Sequence, residues 1–190
     1  MSILAEKGTL LKLRVSRLAA GGDGIARVQD AGNNPSLVVF VPYAAPGDLL
    51  EVRITESKTT FARGEIVRVI EPGPDRVAPP CPYYYAPLAK DWCGGCNIQH
   101  LSYPAQLKTK LDILKDALHK IAHLRPELLL PVAGTANPET QAWRYRNKIQ
   151  MPYAHSDDGK SVRSGFYAPS SHLIVEINDC LIHPETMSRI

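Results

Sequence analysis

The chain has 190 residues, with 22 Lys and Arg against 19 Asp and Glu, so its formal net charge of +3 argues neither for nor against a polyanionic partner. Its 44% hydrophobic share is that of a globular protein, and no apolar run approaches the length that crosses a bilayer. The start, Met1-Ser-Ile-Leu-Ala-Glu-Lys-Gly8, lacks a basic region followed by an apolar stretch and a small-residue cleavage site, which predicts a cytoplasmic protein with no membrane partner.

The first seventy residues read as strands. Leu11, Leu13 and Val15 alternate with Lys12, Arg14 and Ser16, and Leu50, Val52 and Ile54 alternate with Glu51, Arg53 and Thr55, the period of half-buried strands. Leu37–Val41 is a more fully buried run, and Gly24 to Gln29 and Phe61 to Ile70 complete a set of five. Turns fall at Ala20–Gly24, Asp30–Pro35 and Pro46-Gly47-Asp48. Five short strands in so few residues predict a small closed barrel of the OB kind, because closure removes the exposed edges. Gly21, Gly22 and Gly24 read as a tight turn and not as a phosphate cradle, since no helix follows them. Residues 1–76 hold 10 Lys and Arg and 9 Asp and Glu, so RNA binding there would depend on one face; Lys12, Arg14, Arg53 and Arg68 are its candidates.

From Glu71 to Pro87 six prolines, at 72, 74, 79, 80, 82 and 87, forbid a regular element and mark a domain boundary. Cys81 lies in this stiff segment; Cys93 and Cys96 follow it and Cys180 is remote, giving C-x11-C-x2-C and a gap of 83 residues. In a reducing compartment a Cys-x-x-Cys pair with two further thiols suits a four-coordinate metal or an iron–sulfur cluster. A thioredoxin-type redox pair is the alternative at Trp92-Cys93-Gly94-Gly95-Cys96, but that motif ends a strand and opens a helix, whereas here it follows a proline-rich loop. Tyr83, Tyr84, Tyr85 and Trp92 are read as shielding such a site from water.

A helix is predicted from Ser102-Tyr-Pro104, where Ser would cap and Pro suits the first turn, to about Leu124. Leu107, Leu111, Leu114, Leu118 and Ile121 form an apolar stripe along it that needs a partner. Strands follow at Lys148–Tyr153, Val162–Tyr167 and Leu173–Ile177, with Cys180 just beyond the last. His183-Pro184-Glu185 reads as the opening of a further helix that the end of the chain cuts short. The expected class is therefore mainly β with one long helix (α+β). It divides into 1–72, an OB-like barrel; 73–101, a proline-rich cysteine loop; 102–125, the helix; and 126–190, part of a small β-rich central domain.

Cys93-Gly-Gly-Cys-Asn-Ile-Gln-His-Leu-Ser-Tyr103 with Gln106-Leu107 and Lys110, then Tyr145-Arg-Asn-Lys148, Gly165-Phe-Tyr167, Ser171-His172 and Ile174-Val-Glu-Ile-Asn-Asp-Cys180 together resemble the iron–sulfur RNA 5-methyluridine methyltransferases. With Val39-Phe-Val-Pro42 and Pro46-Gly47-Asp48 before them, the barrel resembles that family's TRAM domain. The resemblance implies a [4Fe-4S] cluster on Cys81, Cys93, Cys96 and Cys180, and an rRNA or tRNA partner. It departs from the family in the long gap after Cys81. The family adds a cysteine thiolate to uracil C6, methylates C5 from S-adenosylmethionine, and removes the C5 proton with a base. This chain has neither a fifth cysteine nor a glycine-bearing strand-to-helix cofactor turn, so no catalytic or S-adenosylmethionine-binding residue is assigned in it.

By that resemblance it is the N-terminal RNA-recognition and iron–sulfur part, inactive alone, with the methyltransferase domain supplied in cis or in trans and packed against the helix 102–125. Arg144, Tyr145, Arg146 and Lys148 are the remaining RNA candidates, combining phosphate charges with a stacking ring. The competing reading is a four-cysteine zinc protein with an OB-like barrel, an RNA adaptor without enzymatic activity. A radical S-adenosylmethionine methylthiotransferase would need a C-x3-C-x2-C triplet, which is absent.

Overall fold

Alternating side chains drive the first five strands into a cylinder. The computed structural model describes residues 5–28, 37–87, 89–125, 131–137, 142–156 and 158–186. In it β1 (Leu10–Leu18), β2 (Gly24–Val28), β3 (Leu37–Val41), β4 (Leu49–Ser57) and β5 (Phe61–Glu71) close into a barrel in the order β1-β2-β3-β5-β4. All pairings are antiparallel except the short β3–β5 seam, which is parallel and closes the cylinder. Register shifts in β1 and β5 let these strands coil around a core of Leu13, Val15, Val39, Val41, Leu50, Val52, Ile54 and Ala62, all buried. Gln29 and the Asp30–Pro35 turn lie outside the described residues.

The chain divides into two compact units, residues 1–78 with 97–132 and residues 79–96 with 133–190. In the first, α1 (Tyr103–Lys120) lies beside the barrel, where Ala105 joins Leu18, Ala45 and Leu101 in a buried cluster. Ala105 and Thr109 are its buried residues, and Asp116 lower on the same face pairs with Arg17 of β1. Leu107, Leu111, Leu114, Leu118 and Ile121 fall about half a turn away on the opposite face; Leu114 is 45% and Ile121 80% exposed. The helix is shorter than its apolar pattern. His123 takes a left-handed backbone (φ 54°) and Leu124 N–H returns to the Leu118 carbonyl, closing the last turn. Ser102 makes no side-chain cap, because its hydroxyl turns to Asp75 at 3.4 Å.

The knot of this unit is Asp48, whose side chain has no solvent exposure. It accepts from the Ala45 and Gly73 backbone N–H groups at 2.6 and 2.8 Å, and from Arg76 Nε and Nη2 at 2.9 and 2.6 Å. Arg76 Nη2 also donates to the Tyr43 carbonyl at 2.8 Å. Gly73 is required where the chain crosses the knot, since a Cβ there would stand 2.3 Å from the Pro46 carbonyl oxygen. Beyond it Arg76 bridges to Leu101, Val77 N–H reaches the His100 carbonyl at 2.9 Å, and Ser102 N–H reaches Asp75 at 2.9 Å. Residues 75–77 and 100–102 of this unit are therefore held together beside the buried ion pair.

In the second unit β6 (Tyr153–His155), β7 (Val162–Tyr167) and β8 (Ile174–Glu176) form an antiparallel sheet. The strand expected at Lys148–Tyr153 forms only from Tyr153; upstream, the Arg144 and Arg146 N–H groups bond the Leu181 and Ile182 carbonyls at 2.8 and 2.9 Å. After His183, residues 185–186 start a 3₁₀ turn, and 187–190 lie outside the described residues. The architecture is α+β, mostly β.

Asp48→Ala, which strands the Arg76 guanidinium, should cost about 3–5 kcal/mol, read from the urea midpoint; a loss below about 1 kcal/mol contradicts the assigned role. His100 beside the knot is 1% exposed, and burial, aided by the Arg76 charge and opposed by a backbone hydrogen bond to Ala44 and by Asp48, pushes its pKa from 6.5 down to about 4. The unfolded chain therefore binds the proton first. Stability should be complete above pH 6.5 and fall toward pH 4, by about 1.4 kcal/mol per unit. Urea titrations of His100→Asn should show a shallower fall across that window, and an unchanged slope contradicts the assignment.

Candidate metal centre

All four cysteines belong to the second unit, each is partly buried, and none is in a disulfide. The proline-rich segment brings Cys81 into a turn closed by Tyr84 N–H on the Cys81 carbonyl, 3.1 Å. Tyr83 then joins three pieces of chain, because its carbonyl accepts from Cys93 N–H at 2.8 Å and its hydroxyl from Asn178 N–H at 3.1 Å. Tyr84 is buried, and Tyr85 stands edge-on to Trp92 at 4.9 Å. Gly94 lies against the end of β7, its N–H donating to the Tyr167 carbonyl at 2.9 Å. A Cβ at Gly94 would be 2.8 Å from that oxygen.

The remote Cys180 follows β8 by four residues on a loop gripped by Arg144. The guanidinium forks onto Asp179, Nη1 to Oδ1 at 2.6 Å and Nη2 to Oδ2 at 2.7 Å, and Nη1 also donates to the Cys180 and His183 carbonyls at 3.1 and 3.2 Å. Buried His183 returns its backbone N–H to the Cys180 carbonyl at 3.0 Å, and its ring stands 5.5 Å from Phe166.

Burial raises the Cys93 pKa from 9.0 to about 11; the Gly95 N–H on its sulfur opposes this, and Cys96, Cys81 and Cys180 each add to the rise. Cys81 is raised mainly by burial, with Cys96 and Cys180 contributing. Cys81 and Cys93 thus each sense the thiols of Cys96 and Cys180, whose charge would oppose their ionisation. Among the described residues no three His, Cys, Asp or Glu side chains are drawn around one point as for a single ion.

The basic candidates are distributed over both units. On the barrel, strand register sets Lys12 beside Glu51 and Glu51 beside Arg68, Arg53 beside Glu65, and Leu49 between Arg14 and Glu71. Arg14 pairs with Glu71 at 2.8 Å, Arg68 with Glu51 at 3.1 Å and Arg53 with Glu65 at 3.8 Å, so acids answer the bases row by row on this face. In the second unit Arg144 turns inward, while Tyr145, Arg146 and Lys148 are exposed. Sequence reasoning missed Arg63, which lies 5.7 Å from the Phe40 ring centre and 6.0 Å from that of Phe61, two rings packed edge-on at 5.9 Å across the parallel seam. The outward phase of Phe40 in β3 was the available signal.

Comparison with known proteins agrees with this architecture. The TRAM domain model matches residues 5–67, which span the barrel. An uncharacterized RNA methyltransferase of Halalkalibacterium halodurans is 38% identical over 179 residues, 93% of this chain and 35% of the relative. One from Thermosynechococcus vestitus is 36% identical over 92% of this chain and 35% of its own length, and one from Enterococcus faecalis 36% identical over 98% and 38%. The chain is thus similar, over nearly its whole length, to TRAM-bearing RNA methyltransferases. It spans about a third of the length of these relatives. Among solved structures, the Pyrococcus abyssi tRNA (uracil-54, C5)-methyltransferase in complex with S-adenosyl-L-homocysteine is 26% identical with a TM-score of 0.54, covering 93% of this chain and 34% of that one. Within the described residues no helix is long and apolar enough to cross a membrane.

Gly94→Ala should push the Cys93–Cys96 loop off β7. The expected outcome is faster amide exchange at Gly94 and faster alkylation of Cys93 and Cys96, with the barrel unchanged; wild-type exchange there contradicts the packing described.

Proposed function

We propose that this chain is the RNA-recognition and iron–sulfur part of an S-adenosylmethionine-dependent RNA uridine-5 methyltransferase acting on rRNA or tRNA in the cytoplasm. The observation that carries the reading is the gathering of Cys81, Cys93, Cys96 and Cys180 in one unit, all partly buried and none in a disulfide. A single zinc ion holds four sulfurs at about 2.3 Å around one point. A [4Fe-4S] cluster gives each of four thiolates its own iron, and the resemblance of the cysteine-bearing segments to the iron–sulfur methyltransferases favours it over zinc. The donor chemistry fits the same group, being all sulfur and half-buried.

When bound, the cluster would supply a covalent tie between the proline-rich loop and the Cys180 loop, in the way that structural metal binding becomes folding energy. The residues of the chain do the rest. Tyr83 and Gly94 set the loop, and Arg144 and Asp179 set the remote thiol. Committing all four cysteines to iron leaves none to attack uracil C6, so the nucleophile, the base and the S-adenosylmethionine pocket belong to a methyltransferase domain supplied in cis or in trans. The stripe Leu107, Leu111, Leu114, Leu118 and Ile121, half-buried at three positions and exposed at Leu114 and Ile121, is the surface proposed to pack on that domain. The exposed Tyr145, Arg146 and Lys148 offer a stacking ring beside phosphate-binding charges, and Lys12, Arg14, Arg53 and Arg68 a weaker, acid-balanced face.

Anaerobically purified protein should be brown, with iron and acid-labile sulfide in equal amounts near four of each per chain. One zinc per chain without sulfide would overturn this in favour of the zinc adaptor. Arg146→Ala with Lys148→Ala should weaken RNA binding by anisotropy and lower the slope of log affinity against log salt by about one per lost contact. An unchanged slope would remove these two residues from the interface.

A further inference from the structure

Cys81, Cys93 and Cys96 lie within sixteen residues of one another, on a loop tied down by Tyr83 and Gly94. Cys180 has no such neighbours in sequence. It sits beyond the end of β8, outside any regular element, so the direction of its thiol depends on what fixes residues 177–184. We infer that Arg144 is the positioning residue for Cys180, and through it for the fourth thiolate of the cluster, not an RNA contact; the second clause rests on the iron–sulfur reading above.

Three observations support this. Arg144 has a left-handed backbone (φ 57°), a conformation that a long side chain keeps only where its surroundings enforce it. That backbone sends its N–H to the Leu181 carbonyl at 2.8 Å and turns its side chain back over the same loop, while Tyr145 and Arg146 remain exposed. The guanidinium then holds the residue before Cys180 by both carboxylate oxygens, and Cys180 and His183 by their carbonyls. A planar fork meets such a carboxylate with two parallel bonds, which fixes orientation as well as distance, and a lysine ammonium cannot copy it. An RNA phosphate would have to displace this bidentate pair to reach the group.

The test uses Arg144→Gln and Asp179→Asn in the anaerobically purified chain. Arg144→Gln should lose the iron held through Cys180 as Fe(II) and, after one-electron oxidation by added ferricyanide, show the paramagnetic signal of an oxidised three-iron cluster, which one missing ligand produces and general unfolding does not. Asp179→Asn, which leaves the two carbonyl bonds in place, should move the same way less far, and it decides the matter if Arg144→Gln does not fold. Arg146→Gln should keep the four-iron signal, because the backbone N–H of Arg146 is what holds Ile182. In metal-free protein Arg144→Gln should alkylate several-fold faster at Cys180 with Cys96 unchanged. That result in a wild type lacking iron would sink the cluster reading and leave the positioning of Cys180 standing. A four-iron signal together with wild-type alkylation at Cys180 in the variants overturns the inference.

Discussion

A carboxylate sealed from water survives only if every charge and lone pair on it is answered, and in this chain Asp48 is that group. Its partners come from the β3–β4 connection, from the turn after β5 and from Arg76, so barrel closure and the exit of the chain from the barrel are one event. Leu101 and His100 then pair back onto Arg76 and Val77. The chain on either side of the knot is thereby held in one ladder within this unit.

Within the second unit the geometry leads to the thiols. Prolines restrict Cys81 before anything binds, Tyr83 joins the loop to residue 178, and Gly94 lets it lie flat on the end of β7. A protein that held four sulfurs this way with nothing on them would carry a group costly to ionise, as the pKa of Cys93 at about 11 indicates. Binding to iron would release those protons and remove the repulsion, so occupancy and folding of the second unit become linked. The proposed RNA surface follows a different rule. Bases on the barrel are answered by acids across the strands, and the residues left open, Tyr145, Arg146 and Lys148, stand beyond the arginine that clasps the Cys180 loop.

The barrel was legible because its information is local and periodic: Leu13, Val15, Leu50, Val52 and Ile54 announce their own inward phase. The cysteines were legible as a donor set, and the spacing of Cys93 and Cys96 as a loop. What could not be read was anything that depends on a partner far along the chain. Asp48 looked like a turn residue, Arg144 like a surface arginine, and Ser102 like a helix cap; Gly73 and Arg76, Asp179, and Asp75 decided otherwise. The helix ended early because His123 adopts a left-handed turn that its apolar periodicity does not encode. The strand expected at Lys148–Tyr153 is confined to Tyr153–His155, with the backbone before it engaged at Arg144 and Arg146 by residues 181–182.

The central claim is that Cys81, Cys93, Cys96 and Cys180 act as one iron-bearing site. Differential alkylation followed by mass spectrometry tests it most directly, comparing anaerobically isolated protein with the same sample after iron chelation. The account predicts that all four thiols are protected before chelation and become reactive together afterwards. If any one of the four is labelled at the rate of an exposed thiol while the others remain protected, the four-thiol site is wrong.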